Sequence, residues 1–363
     1  EFIKKGVRIA GGCCGTTPAH INAVVTKTKD MTPVEISMKH FTYVSSYTHA
    51  VIFDRSPILI GERINPTGKK RLKQALVEKD MDYILDQGIS EQEKGVQVID
   101  VNVGLPEIDE AEMLTKTVCE LQAVIDLPLQ IDTSDPIAME QALRRYSVSG
   151  KQSVMDAIFP LAKKYGGLIV ALTLDDDGIP STVEGRMKIA EKILKEAGKY
   201  GIDKKDIIFD PLAMTISADP DSANVTLACI KKIREELGCH TSLGVSNVSF
   251  GLPSRSMVNS TFFSIAMHNG LSAAIMNPNS VEMLGAYHAF RAISGLDDNF
   301  AEYIEFTQNN VPAAPAAAAS PKAPAAPKTN DYGSPLKNAI IKGLKDKAGE
   351  LTSELLASTD AMD

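Results

Sequence analysis

Apolar runs that stop on a polar residue recur through the middle of this chain. Five of them end in Asp, Asn or Glu: Ile60-Gly61-Glu62-Arg63-Ile64-Asn65, Val98-Ile99-Asp100-Val101-Asn102, Leu129-Gln130-Ile131-Asp132, Ile207-Ile208-Phe209-Asp210-Pro211 and Leu243-Gly244-Val245-Ser246-Asn247. Amphipathic stretches of helical period separate them. The pattern predicts strands near 57–61, 96–102, 128–132, 167–173, 206–210, 241–246 and 272–277. It predicts helices near 72–94, 109–126, 136–146, 151–166, 183–200, 221–237, 257–270 and 280–294. Strand followed by helix, repeated, builds a parallel sheet. Closed into a barrel, such a sheet gathers its C-terminal strand ends at one mouth, where barrel enzymes keep their chemistry.

Seven strands against eight helices leave the count one strand short. Successive strand ends lie roughly 30–38 residues apart, yet only about 40 separate Asp132 from the strand ending near Thr173, where two units need about 65. The helices around 140 and 158 are joined by Ser147-Val148-Ser149-Gly150, too little for a strand of about five residues with its turns. The expected fold is therefore α/β, a (β/α)8 TIM barrel that lacks or shortens its fourth strand, with fragments of neighbouring domains at both ends.

The flanks read differently. Within 1–30, Val7–Ala10 predicts a strand, Gly11-Gly12-Cys13-Cys14-Gly15 a loop, and Thr17-Pro18 an N-cap and first helical residue of a helix running to about Lys27. Residues 31–55 form a connector with little periodicity, and 56–307 hold the repeating region. Residues 308–331 are an Ala/Pro linker of polyproline character. In 332–363, Leu336 to about Leu356 forms one amphipathic helix, which alone is no domain and reads as the opening of another. The chain begins at Glu1 without Met or a signal-peptide pattern, the mark of a fragment.

Composition narrows the partners. A net charge of -8 argues against nucleic acid, and no apolar run approaches the roughly 20 residues of a membrane span. The five cysteines show no framework spacing and two are adjacent, which points to a reducing cytoplasm. Cys119, Cys229 and Cys239 read as packing residues. Asp175-Asp176-Asp177-Gly178 reads as a solvated turn.

Five strings in one order carry a resemblance: Gly61-Glu62-Arg63-Ile64-Asn65-Pro66-Thr67-Gly68, Asp100-Val101-Asn102-Val103-Gly104, Gln130-Ile131-Asp132-Thr133-Ser134, Asp210-Pro211-Leu212, and Gly244-Val245-Ser246-Asn247-Val248-Ser249-Phe250-Gly251-Leu252-Pro253. Together they resemble the methyltetrahydrofolate-binding (pterin-binding) domain of cobalamin-dependent methionine synthases over 56–307. Gly11–Pro18 resembles the end of that family's homocysteine-binding domain, residues 1–30 being its C-terminal remnant. The helix after the linker resembles the first helix of the cap above the cobalamin-binding domain.

The resemblance implies that the barrel binds 5-methyltetrahydrofolate and supports methyl transfer to cob(I)alamin held on another domain. Homocysteine would be the final acceptor in the parent enzyme. Asp132 and Asp210 match carboxylates that bond the pterin ring, and Asn247 matches the asparagine beside the methyl-bearing nitrogen. Asp132 and Asn247 are thus the expected catalytic pair. Glu62, Asn65, Asp100 and Asn102 complete the expected folate site, with Arg255 facing folate's anionic tail and Lys69, Lys70 and Arg71 adding attraction. From the residues alone, an Asp or Asn at a strand end also serves as a turn former, and Glu62 could equally pair with Arg63. Cys13 and Cys14 match two of three zinc thiolates, an incomplete site. Two rival readings are a methyltetrahydrofolate:corrinoid/iron–sulfur protein methyltransferase, with dihydropteroate synthase as a remoter case, and an inactive folate-binding remnant.

Overall fold

The computed structural model describes residues 1–35, 41–145, 150–151 and 155–310, and in the C-terminal stretch Leu336, Gly349 and Leu351–Ser353. The chain divides into two compact units, Glu1–Val311 and Pro312–Asp363. The few described residues of the second are helical; the rest of the expected Leu336–Leu356 helix, and the linker from 311 on, lie outside the described residues.

The first unit opens with α1 (Pro18–Thr28), entered through a capping box in which the Thr17 N–H donates to His20 Nδ1 at 3.1 Å. Val7–Ala10 is not a strand. An antiparallel hairpin follows, β1 (Tyr43–Ser45) against β2 (Ala50–Ile52), in a stretch whose three-residue strands are too short to show a period. The barrel then runs β3 (Ile58–Ile64), α2 (Lys70–Glu78), α3 (Met81–Glu93), β4 (Val98–Val101), α4 (Glu110–Val124), β5 (Leu129–Ile131) and α5 (Pro136–Leu143). It continues β6 (Gly150–Lys151), α6 (Met155–Tyr165), β7 (Ile169–Leu172), α7 (Val183–Lys199), β8 (Ile207–Asp210), α8 (Ser222–Lys232), β9 (His240–Gly244), α9 (Arg255–His268), β10 (Ala273–Met276) and α10 (Val281–Ile293). A last helix, α11 (Ala301–Asn310), ends the repeating region and runs on through 308–310, the first three positions of the expected Ala/Pro linker.

The strands close into one parallel barrel in the order β10-β3-β4-β5-β6-β7-β8-β9. The expected shortening falls on the fourth strand. Among the described residues β6 comprises Gly150 and Lys151, pairing Gly150 with Ile131 of β5 and Gly150 and Lys151 with Ile169 and Val170 of β7. β10 and β3 match at four positions from Ala273↔Ile58 to Met276↔Gly61, as do β7 and β8, while β8 and β9 match at two.

Alternation along each strand sorts the side chains. Ile58, Ile60, Val98, Ile208, Ala273 and Ile275 turn into the barrel, where with Leu168 they pack against Val44 and Phe53 of the hairpin. Their neighbours Leu59, Ile99, Leu129, Ile131, Leu243 and Ala274 turn outward into the layer beneath the helices. Ile169, Ala171, Ile207 and Phe209 do the same under α7 and α8. The hairpin plugs the N-terminal end: Thr42 Oγ1 donates to Lys205 O at 2.5 Å, and Ser46 Oγ to Asp126 O, both in loops that lead into strands.

The single helix expected over 72–94 is two. Lys79 takes φ 55°, its N–H bonds the Ala75 and Leu76 carbonyls, and Asp80 restarts the helix by accepting the Tyr83 N–H at 3.2 Å. Cys229 and Cys239 are buried as expected, whereas Cys119 is exposed. No helix among the described residues is long and apolar enough to cross a membrane.

Candidate functional site

The residue after each inward apolar position comes two steps later on the same face, so the polar strand ends share the mouth. Asp100, two beyond Val98, is 1% exposed and accepts a bond from Gln130 Nε2 at 2.6 Å. Asp132 lies two beyond Gln130, and Asp210, also buried, two beyond Ile208. Turn formation and placement at the mouth prove compatible. Asn65 Oδ1 accepts the Thr67 N–H at 3.1 Å, Asn102 Oδ1 the Gly104 N–H at 2.9 Å, and Asp210 Oδ1 the Leu212 N–H at 2.8 Å. Each side chain is thereby held by its own turn.

Glu62 occupies the end of β3, where pairing with β4 slips between Gly61 and Ile64. Burial raises its carboxyl above the usual range, and Lys69, Arg63 and Arg255 pull it back. Arg63 is not its hydrogen-bond partner; that guanidinium donates to Gln87 Oε1 at 3.0 and 3.2 Å. Lys69 Nζ donates to the carbonyls of Glu62 and Asn65 at 2.9 and 3.0 Å. Burial lowers its ammonium, while Glu62, Glu91 and Asp100 oppose the change. Lys69 thus clamps the end of β3. Arg71 turns to Asp80, at 2.5 Å, and lies over the Tyr83 ring.

Asn247 sits in a tight turn, Val245–Ser249, that continues β9 and leaves its side chain exposed at the rim. A Cβ at Gly244 would stand 3.0 Å from Asn247 Nδ2, so glycine there leaves room for the carboxamide. Arg255 Nε donates to Ser249 Oγ at 2.9 Å and Nη2 to Ser246 O at 2.8 Å, with the guanidinium over the Phe250 ring. Two of its donors therefore brace the turn that carries Asn247.

The N-terminal thiols do not fit a zinc ion by themselves. Cys13 and Cys14 are exposed, and among the described residues no group of three His, Cys, Asp or Glu gathers.

One buried acid escaped the sequence reading. Glu91 on α3 is fully buried, and its Oε1 accepts the Arg63 N–H at 2.7 Å, behind the slip in β3. Desolvation pushes its carboxyl up to about 8, against the pull of that bond and of Arg63; the negative charges of Asp100 and Glu62 add to the rise. A Cβ on Gly61 would lie 2.4 Å from Glu91 Oε1, so glycine here leaves the room this carboxyl takes. The signal was available: Ile84, Gly88 and Glu91 form the buried stripe of α3 at helical spacing, with the acid on it.

Residues 61–277 match the profile described as pterin binding enzyme, and residues 1–28 that of homocysteine S-methyltransferase. The chain is 36% identical over 251 residues to the methylcorrinoid:tetrahydrofolate methyltransferase of Eubacterium limosum, covering 66% of this chain and 92% of that protein. It is 30% identical over 298 residues to the methionine synthase of Mycobacterium tuberculosis, covering 76% of this chain and 25% of that protein, about a quarter of its length. Among solved structures it resembles a dihydropteroate synthase of Xanthomonas albilineans with 4-aminobenzoic acid, with a TM-score of 0.57 at 16% identity over 70% of this chain and 98% of that one. The Yersinia pestis dihydropteroate synthase gives 0.55 at 14%, over 70% and 99%. At such identities the likeness is one of fold. The closed parallel barrel with its polar mouth, matched over more than half of its length, belongs to the pterin-binding enzyme family.

Proposed function

We propose that this barrel binds 5-methyltetrahydrofolate and presents its methyl group to a corrinoid carried by another domain or chain. The observation that carries the reading is the polar floor: Asp100 held by Gln130, with Asp132 just beyond β5 and Asp210 at the end of β8, each two residues past an inward position. The amino-pyrimidine edge of a pterin presents paired donors, which suit fixed carboxylates. Asn65, Asn102 and Glu62 complete the floor on the β3 and β4 side.

Cobalamin, on its own domain, supplies the nucleophilic metal. This chain's part is to bind, orient and polarise. The methyl-bearing nitrogen must gain positive character before the methyl leaves. Asn247, at the rim on a braced turn, has a carboxamide able to accept a hydrogen bond from that nitrogen once it is protonated. Arg255 stands beside it, within reach of Glu62's field, and is the candidate for the anionic tail.

Two settings fit. The match of residues 1–28 favours exchange inside a methionine-synthase-like protein, with homocysteine as final acceptor. The 92% coverage of the Eubacterium relative favours a separate corrinoid protein. Titration with 5-methyltetrahydrofolate, followed by mixing with free cob(I)alamin and monitoring its absorbance, tests the reading. Saturable binding and loss of the cob(I)alamin spectrum support it. No binding, even after strand β6 is lengthened, leaves only an inactive remnant.

A further inference from the structure

β8 ends on Asp210, and the next two residues turn the chain sharply. Leu212 takes φ 64°, the left-handed region in which a side chain is strained. The Leu212 N–H, in one peptide plane with the Pro211 carbonyl, donates to Asp210 Oδ1 at 2.8 Å. Something must hold a leucine there. Arg186, from the first turn of α7, reaches under the turn: Nη1 donates to Pro211 O at 2.5 Å and to Leu212 O at 3.0 Å, while Nε donates to Pro180 O at 2.9 Å. Thr226 of α8 completes the clamp, with Oγ1 3.2 Å from Arg186 Nη1 and 3.0 Å from Leu212 O.

Arg186 is 2% exposed and Thr226 is fully buried. The guanidinium sits on the stripe that Ala190, Ile193 and Ala197 continue into the core. An apolar side chain would fill such a place at lower cost than a buried cation whose hydrogen bonds end on carbonyls and a hydroxyl. The cation is explained by what it fixes. We infer that Arg186 is a positioning residue for Asp210, gripping the Pro211–Leu212 peptide and the left-handed Leu212 after it, and so aiming the carboxylate at the ligand.

The affinity part of this inference rests on the folate reading; the backbone part does not. Amide exchange on the whole chain isolates the backbone part. In Arg186→Met, the Leu212 amide should exchange about tenfold faster or more, while amides of β3 and β4 keep their rates. An unchanged Leu212 rate overturns the inference whatever the ligand. Binding of 5-methyltetrahydrofolate then tests the consequence. Arg186→Met should weaken it about tenfold, and Leu212→Gly, which adopts the left-handed turn without strain, should shrink that loss by about threefold or more. Equal losses with and without the glycine would make Arg186 a plain stability residue and overturn its positioning role. Should Arg186→Met not fold, Thr226→Val, which keeps the cation and removes one bond to the Leu212 carbonyl, repeats both measurements with smaller effects in the same direction. If the wild-type chain binds no folate while Asp210→Ala is equally silent, the folate reading fails and the exchange result alone decides on Arg186.

Discussion

The two sides of the barrel are built to different standards. On one side, β3 pairs with β10 at four positions from Ala273↔Ile58 to Met276↔Gly61. On the other, among the described residues, Gly150 and Lys151 bridge β5 and β7, and β5 meets them at Ile131↔Gly150. The polar floor reaches both: Asp210 ends a strand whose four residues all pair with β7, whereas Gln130 lies on, and Asp132 just beyond, the strand that meets Gly150 at the seam. Closure of a barrel evidently requires continuity of hydrogen bonding around the ring more than equal strand lengths, because ending it would expose two edges. A catalytic floor needs more than closure, since errors near one ångström spoil a preorganised site.

The largest effect should come from repairing the seam. Inserting about seven Val/Ile-rich residues ending in Asn before Ser147 should raise the unfolding free energy by about 3–5 kcal/mol, since each buried polar group left unpaired costs about 1–3 kcal/mol. Folate affinity should rise with it. Denaturant titration and ligand titration check both; no gain in either would show that the short strand already satisfies its neighbours.

The floor can then be compared directly. Asp210→Ala should weaken 5-methyltetrahydrofolate binding by about 1.5–3 kcal/mol, the usual loss for a charge-assisted bond. Asp132→Ala should cost less in the present chain and as much once the strand is lengthened. Equal losses before the repair would mean that the seam positions its residues as firmly as the opposite side does.

Glu91 offers a test on the well-paired side. Its carboxyl titrates near 8 in the fold and near 4.5 when the chain is open. Between those values the folded state holds the extra proton, so stability falls as pH rises from about 4.5 to 8 and then levels. Glu91→Gln keeps an acceptor for the Arg63 N–H and cannot ionise. It should match wild type to within about 1 kcal/mol near pH 5 and exceed it by about 4 kcal/mol above pH 8, read by thermal melts across pH. Parallel curves for the two proteins would remove Glu91 from the account.

The smallest effect concerns helix caps on either side. Asp135 caps α5 by accepting the Ile137 N–H at 2.8 Å, and Thr182 caps α7 by accepting the Gly185 N–H at 3.1 Å. Replacing either by Ala should cost about 1 kcal/mol. A muted Asp135→Ala effect beside a full Thr182→Ala effect would show that the seam side opens before the rest.

Much of the architecture was legible because inward and outward positions alternate strictly. The expected strand at 206–210 is Ile207–Asp210, and that at 272–277 is Ala273–Met276. The shortened fourth strand was legible as missing length. The break at Lys79 was hidden because Leu76 and Ile84 keep the apolar period across it. The hairpin was hidden because three-residue strands carry no period. In the site, the strand-end acids could be read from position and order. Glu91 and Arg186 could not be read from charge alone, since a charged residue on an apolar stripe becomes informative only when the stripe itself is trusted. Arg255 shows the opposite limit: its type and loop placed it at the mouth, yet its bonds to Ser246 and Ser249 depend on a turn that no pattern specifies.

The plug formed by Val44 and Phe53 turns the barrel into a room with a single door. A guest entering at the strand ends meets apolar packing below and must leave by the way it came. Donor and acceptor therefore share one threshold. Under the proposed chemistry the guest has to lie with its transferable group facing the doorway, and the domain that collects the group must come to that doorway and step back before the spent guest can go. A closed floor thus imposes an order of visits on proteins that never touch it.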